Sequence, residues 1–282
     1  MNEAPVRVTG REIALATLAE TGVHVTHAQL DEIRNHSSEL LRRMRSGEPT
    51  VVIVEAPNVQ SLDVMALRWM FKGGITPLVL CPGDAAECAE LAITAAKAAN
   101  MLKLPVFFLL EESVAEAEFH LDEPVEEPEL LFDVPSPIDA SDLSPEESDL
   151  RDLEARLSRP PRGFKATRTD SGPSAKGKPE WLVVTYGASC APAHDAVAGA
   201  RADGQRVSLL RTRMLWPLPE AEILKAAMGM KHIVVAERNM GQYALEIRRI
   251  LPELPVISAG RITAPLPASL ILQRLQRSPR CC

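Results

Sequence analysis

The stretch "WLVVTYGASCAPAHDAVAGARADGQRVSLLRT", Trp181 to Thr212, decides the fold. "WLVVTYG" is a continuous apolar run of strand length that stops at Gly187. A small-residue stretch of helical length follows and is closed by Gly204, and "QRVSLLRT" is again a strand pattern. Strands that are apolar throughout, with a helix between them, call for buried parallel pairing through a right-handed crossover. The pattern then repeats to the end of the chain. "LPEAEILKAAMG" is a helix ended by Gly229, "KHIVVAE" a strand, "GQYALEIRRIL" its helix, "LPVISAG" a fourth strand and "PLPASLILQRLQR" a closing helix.

The N-terminal part carries a related pattern. "PTVVIVEAP", "ITPLVLCPG" and "LPVFFLL" read as strands, and "DAAECAELAITAAKAANMLK" reads as a helix with Asp84 as N-cap and Glu87 at the capping-box position. "GREIALATLAETGV" and "THAQLDEIRNHSSELLRRMRSG" read as amphipathic helices. Between the two parts lies an acidic, proline-rich segment followed by a basic run of small residues, which is linker chemistry. A short helix over residues 145–157, capped by Ser144, is expected inside it. The expected fold class is therefore α/β: two α/β units with mainly parallel sheets, residues 1–112 and 180–282, joined by a long acidic Pro-rich linker over 113–179.

Composition narrows the function. With 31 basic against 38 acidic residues the formal charge is −7, which leaves no basic surface for nucleic acid. No run of apolar residues is long enough to span a bilayer, and the first residues lack the layout of a signal peptide, so a cytoplasmic protein is expected. The five cysteines match no zinc or iron–sulfur spacing, Cys81 and Cys88 read as buried small residues, and no metal site is expected. His24 and His27 lack a third ligand at a useful spacing. There is no G-x-G-x-x-G, no Gly-rich loop ending in Lys-Ser or Lys-Thr, and no G-x-S-x-G elbow. Gly187 opens a helix whose N-terminus could hold an anion, or simply makes a tight turn.

One charged elbow stands out. After "HIVVAE", the residues Glu237-Arg238-Asn239-Met240-Gly241-Gln242 lead into a helix at the carboxyl edge of a strand, where α/β proteins bind ligands and partners. Asn239 is expected to cap the helix and Gly241 to turn the chain, with Glu237 and Gln242 facing a subunit or domain interface.

These motifs, in this order, resemble the α subunit of the 2-oxoacid:ferredoxin oxidoreductases, the group of the pyruvate and 2-oxoglutarate enzymes. "L-W-P-L-P" over Leu215 to Pro219 is similar to that family's "l-W-P-f-P", and Glu237, Asn239, Gly241 and Gln242 fit its "E-x-N-x-G-Q". "VTGREIALATLAETGV" is similar to its opening "tGNeAia-GAi-AG", with Gly10 and Glu12 in register and Arg11 where Asn is usual. The resemblance implies that the second unit is a transketolase C-terminal-like domain and the first a shortened pyrimidine-binding domain. The family's Tyr-Pro-x-Thr-Pro turn, its acidic pair and its two glycine-rich loops are missing here.

The resemblance implies an α-type subunit of a thiamine-diphosphate-dependent complex that oxidatively decarboxylates a 2-oxo acid to an acyl-CoA, passing electrons to a low-potential carrier. The alternative is a non-catalytic structural or regulatory subunit derived from that family, and a free-standing small-molecule binder is a third reading. Thiamine diphosphate and magnesium would sit at a subunit interface, with iron–sulfur clusters on partner subunits and none of these groups bound by this chain alone. The implied partners are a thiamine-binding β subunit and ferredoxin-like or γ subunits, with the 2-oxo acid and CoA as substrates of the complex. Glu55 is the only nearby candidate for a catalytic carboxylate, and it reads more readily as a strand-end or interface charge. Gly10 and Glu12 are the cofactor-binding candidates, and Trp216, Pro217, Glu237, Asn239, Gly241 and Gln242 form the elbow or interface set.

Overall fold

The computed structural model describes residues 6–57, 63–71, 75–121, 130, 147–148, 151, 154–155, 161, 163–172 and 177–276. Most of the short helix expected over 145–157, and the terminal Cys-Cys, lie outside the described residues.

The chain begins with strand β1 (Val6–Thr9) and helix α1 (Gly10–Thr21). Thr9 closes a capping box with Glu12: the Thr9 N–H donates to Glu12 Oε2 at 2.8 Å, and Glu12 N–H donates to Thr9 Oγ1 at 3.2 Å. Strand β2 (His24–Gln29), helix α2 (Ser37–Ser46), strand β3 (Thr50–Ala56), helix α3 (Val64–Arg68), strand β4 (Leu78–Leu80), helix α4 (Ala85–Leu102) and strand β5 (Pro105–Glu111) follow. After them come α5 (Glu112–Ala115) and β6 (Glu118–Leu121), the latter pairing antiparallel with β1. Strand β5 is the spine of the first sheet. It lies between β3 and β4, parallel to both, and every residue from Pro105 to Glu111 is buried.

Residues 26–47 are not one helix, contrary to the sequence expectation. His24–Gln29 forms an edge strand, pairing parallel with β3 from His24↔Thr50 to Gln29↔Glu55, and a 3₁₀ turn over Ile33–His36 leads into an α-helix that starts at Ser37. The open backbone edge of β3 supplies a hydrogen-bond partner at every second residue, and that tertiary pairing overrides a weak local helix preference. Glu87 also departs from its expected role. Asp84 caps α4 by accepting from Glu87 N–H at 2.9 Å, but the Glu87 carboxylate accepts from Gly83 N–H at 2.9 Å instead of closing the box on Asp84.

The second part contains β7 (Thr167–Asp170), β8 (Trp181–Thr185), α6 (Cys190–Ala202), β9 (Val207–Thr212), β10 (Met214–Trp216), α7 (Glu220–Ala227), β11 (His232–Glu237), α8 (Gln242–Ile250), β12 (Val256–Gly260) and α9 (Ala268–Gln276). Its sheet runs β12-β11-β8-β9-β7, parallel except for β7. Strand period 2 sorts its two faces. Val183, Val207, Leu209, Val234 and Ala236 pack with α6 and α9, whereas Leu182, Val184, Leu210, Ile233 and Val235 face a larger core.

That larger core is continuous across both parts, running from Leu18, Val54 and Phe107 to Trp216, Tyr243 and Ile247. The sheets are physically joined as well. Strand β10 leaves the second part and pairs antiparallel with β4, so the first sheet runs β10-β4-β5-β3-β2. The stretch expected as linker is thus partly structural: Glu118–Leu121 and Thr167–Asp170 are strands, and Ala166 is fully buried. Ala166 O accepts from Arg213 N–H at 2.8 Å, which ties the entry of β7 to the strand beside it.

Candidate functional site

The functional candidates lie where parallel strands end. Strands β3, β4 and β5 of the first sheet and β8, β9 and β11 of the second run out toward the same junction. In an open α/β sheet that carboxyl edge is the ligand crevice. Here each edge meets the other.

Glu111, the last residue of β5, is the centre of this junction. Its carboxylate is buried and accepts from Arg238 Nη1 at 2.7 Å, and Arg238 Nη2 donates to Pro57 O at 3.0 Å at the end of β3. Glu111 Oε1 also accepts from Ala188 N–H at 2.8 Å, in the single 3₁₀ turn (Gly187–Ser189) that opens α6. The helix N-terminus after Gly187 therefore does hold an anion, and the anion is the chain's own Glu111. Gly187 has φ +53°, and a Cβ there would stand 1.9 Å from Glu111 Oε1, so glycine is required for the approach. Burial pushes the Glu111 carboxyl above its usual range, with the Arg238 guanidinium and the Ala188 N–H pulling it back.

A second charged cluster braces the same junction. Asp84, Glu87 and Glu90 at the start of α4 face Arg168 of β7, Arg211 of β9 and Arg213. Arg213 is fully buried, 2.6 Å from Glu90 and 3.4 Å from Glu87. Cys81, Cys88 and Cys190 are free and buried nearby, and burial is the first reason that each thiol sits above its usual range. They stay protonated and are not nucleophiles.

The elbow after β11 is built inward. Asn239 Oδ1 accepts from Gly241 N–H at 2.8 Å and Gln242 N–H at 3.0 Å, capping α8 as its residue type leads one to expect. Its amide donates to Tyr186 Oη at 2.9 Å. Gly241 has φ +97°, the left-handed turn that aims α8 back across the sheet. Glu237 is fully buried and accepts from Tyr243 N–H at 2.9 Å and Ala244 N–H at 3.2 Å, so it serves the first turn of α8 rather than facing a partner. Burial raises its carboxyl, against these backbone donors. Gln242 is half-buried beside it.

The other candidates are also held by their surroundings. Trp216 is buried and donates from Nε1 to Val64 O at 2.9 Å, bridging the two parts, and its peptide bond to Pro217 is cis. Gly10 begins α1, where a Cβ would come within 2.4 Å of Val114 O, and Glu12 is spent on the capping box. Glu55 pairs with the Arg11 guanidinium and accepts from Gln29 Nε2 at 3.2 Å. The structure brings Glu237, Asn239, Gly241 and Gln242 together, and places Glu55, Gly10 and Glu12 apart from them. These carboxylates do not fit thiamine diphosphate: each is already claimed by an arginine, an amide or a backbone N–H of this chain. Sequence reasoning missed Glu111 and Arg238 as a pair. Glu111 had the same signal as Glu237, a carboxylate directly ending an apolar strand.

The chain is similar in sequence and in fold to several known proteins. Residues 179–263 match the family described as pyruvate:ferredoxin oxidoreductase core domain II. Over 68 residues the chain is 37% identical to the 2-oxoglutarate synthase subunit KorA of Methanothermobacter marburgensis, covering 24% of this chain and 18% of that one. It is 24% identical over 244 residues to the KorA subunit of Methanothermobacter thermautotrophicus, 73% of this chain and 62% of the relative. The chain thus spans less than two thirds of either relative. Among solved structures it superposes on the 2-oxoglutarate:ferredoxin oxidoreductase of Magnetococcus marinus, with 2-oxoglutarate, coenzyme A and succinyl-CoA bound, at a TM-score of 0.73 and 16% identity. That match covers 95% of this chain and 56% of the other. A split-gene transketolase, an inactive β4 tetramer, matches at 0.59 and 15% identity, covering 95% and 81%. At these identities the two structures speak for the fold, mostly parallel α/β with a transketolase-like second part.

Proposed function

We propose that this chain, a member of the 2-oxoacid:ferredoxin oxidoreductase family, works as an α-type subunit of a complex that oxidatively decarboxylates a 2-oxo acid. The product would be an acyl-CoA, with carbon dioxide released and two electrons passed to a low-potential carrier. The observation that carries the proposal is the closed junction: Glu111, Arg238, Glu237 and Glu55 are all spent inside the chain. A chain with this architecture and no uncommitted acid among the described residues at its sheet edges supports shape and contacts, and leaves the chemistry to partners.

In this reading thiamine diphosphate and magnesium belong to a thiamine-binding β subunit, and iron–sulfur clusters to ferredoxin-like or γ subunits. When bound there, the thiamine would supply the carbanion that attacks the 2-oxo group. The division into residues 1–112 and 180–282, and a cytoplasmic location, are parts of the same proposal. Among the described residues no helix is long and apolar enough to cross a membrane.

The test is native mass spectrometry of the chain isolated from its own host, with thiamine diphosphate and iron assayed on the same sample. A complex carrying both is expected. A complex lacking thiamine diphosphate would make the chain a structural or regulatory subunit, and a lone monomer would overturn the subunit reading.

A further inference from the structure

A cavity of about 440 Å³ opens where α3 of the first part meets the β10–α7 loop and α8 of the second. Its size is that of a small-molecule site, roughly 300–1,000 Å³. The floor is Trp216, Pro217, Leu218 and Pro219, and Arg68, Arg249, Glu220, Glu222 and Thr76 stand around it.

The charges around it are spent unequally. Arg249 donates from Nε to Glu246 Oε2 at 3.0 Å and through Nη2 to Glu220, leaving Nη1 without a partner among the described residues. Arg68 pairs with Glu246 and lies between two indoles, its guanidinium 4.6 Å from the Trp69 ring and 4.8 Å from the Trp216 ring. Glu222 has no cationic partner among the described residues and accepts only the Thr167 hydroxyl, at 2.5 Å. Glu220 and Glu222 are two residues apart on α7 and so point about 200° apart around its axis. The guanidinium–Glu220 pair and the uncompensated Glu222 are therefore separate features of one cavity. It offers guanidinium donors for a carboxylate, a lone carboxylate for an ammonium, and an apolar floor for a short side chain.

We propose that this cavity binds a small zwitterion, an α-amino acid, with its carboxylate on Arg249 and Arg68, its ammonium on Glu222, and its side chain over Pro217 and Leu218. A simple anion meets the unpaired Glu222, and a simple cation leaves the open Arg249 Nη1 unused, since both guanidiniums already pair with Glu220 and Glu246; the zwitterion uses both ends. An α-amino acid is the amino counterpart of a 2-oxo acid. On the subunit reading above, the site would make the complex sensitive to the amino partner of its substrate class.

Titration calorimetry of the full chain tests it, with the quenching of Trp69 and Trp216 fluorescence as a second readout. The probes are glutamate, alanine and leucine, the 2-oxo acids 2-oxoglutarate and pyruvate, and butylamine. At least one amino acid is expected to bind saturably, about tenfold or more tighter than its 2-oxo acid and than the amine. Glu222→Gln keeps an acceptor for Thr167 and is expected to erase that preference; Arg249→Gln tests the carboxylate end independently. Absence of saturable binding, a 2-oxo acid that binds as well as its amino acid, or an indifferent Glu222→Gln chain with a native melt would each overturn the site. No partner takes part in this measurement, so its failure leaves the subunit reading standing, and a lone monomer in native mass spectrometry leaves the cavity standing.

Discussion

The carboxyl edges of the two sheets answer the same physical problem in opposite ways. Both end apolar strands in a buried glutamate. Glu237 of the second sheet is satisfied at home, by the N–H groups of Tyr243 and Ala244 in the helix that follows it. Glu111 of the first sheet is satisfied, among the described residues, from outside, by Arg238 and Ala188 of the second. Asp84, Glu87 and Glu90 also draw on Arg211, Arg213 and Arg168 across the junction, although Asp84 and Glu87 accept backbone N–H groups of their own part as well. The dependence across the junction is mutual, because the buried Arg213 and Arg238 of the second part find their counter-charges on the first.

Breaking the cross-junction pair has the largest expected effect. Arg238→Ala leaves Glu111 buried without a counter-charge and is expected to cost about 3–5 kcal/mol in urea denaturation. A loss under about 1 kcal/mol would mean that the two parts are held by apolar contact alone. Gly187→Ala comes next, because it puts a Cβ onto Glu111 and takes a side chain into the left-handed region. It is expected to cost about 1–3 kcal/mol, and Glu111→Ala in the same chain is expected to relieve part of it, which a double-mutant cycle reads.

Asn239→Ala removes the cap of α8 and is expected to cost about 1 kcal/mol, with amide exchange fastest at Gly241 and Gln242. The smallest effect concerns pH. The Glu237 carboxyl is raised in the folded chain, so it binds its proton more tightly there than when unfolded. Its contribution is present below the unfolded carboxylate range and is lost as pH rises through the folded value. The melting temperature of Glu237→Gln relative to the parent is therefore expected to rise as pH increases above the ordinary carboxylate range. A difference that falls over that range would show that the backbone donors outweigh burial.

The second part was legible in the chain of residues almost element by element. Its strands are apolar runs bounded by glycines and its helices have clear ends, so local pattern and tertiary structure agree. The Asn239 cap was legible for the same reason: donor and acceptor are two or three residues apart. The first part was less so. "HVTHAQ" carries no strand signal strong enough to stand against the helical pattern after it, and it became a strand because β3 offered an edge. Met214–Trp216, beside a proline-rich turn, became a strand because β4 offered another.

What the sequence determined by itself is the class of the fold, the repeat of strand and helix from Trp181 onward, the elbow that caps α8, and a motif order that resembles one family's. These rest on interactions spanning a few residues, which composition and spacing record directly. Only the tertiary structure decided that Glu111 meets Arg238, that Arg213 is buried against Glu87 and Glu90, and that Arg68, Arg249 and Glu222 surround one cavity. Glu111 and Arg238 lie 127 positions apart. The choice of partner for a buried charge depends on which surfaces are brought together when the shared core closes, and no local pattern encodes it.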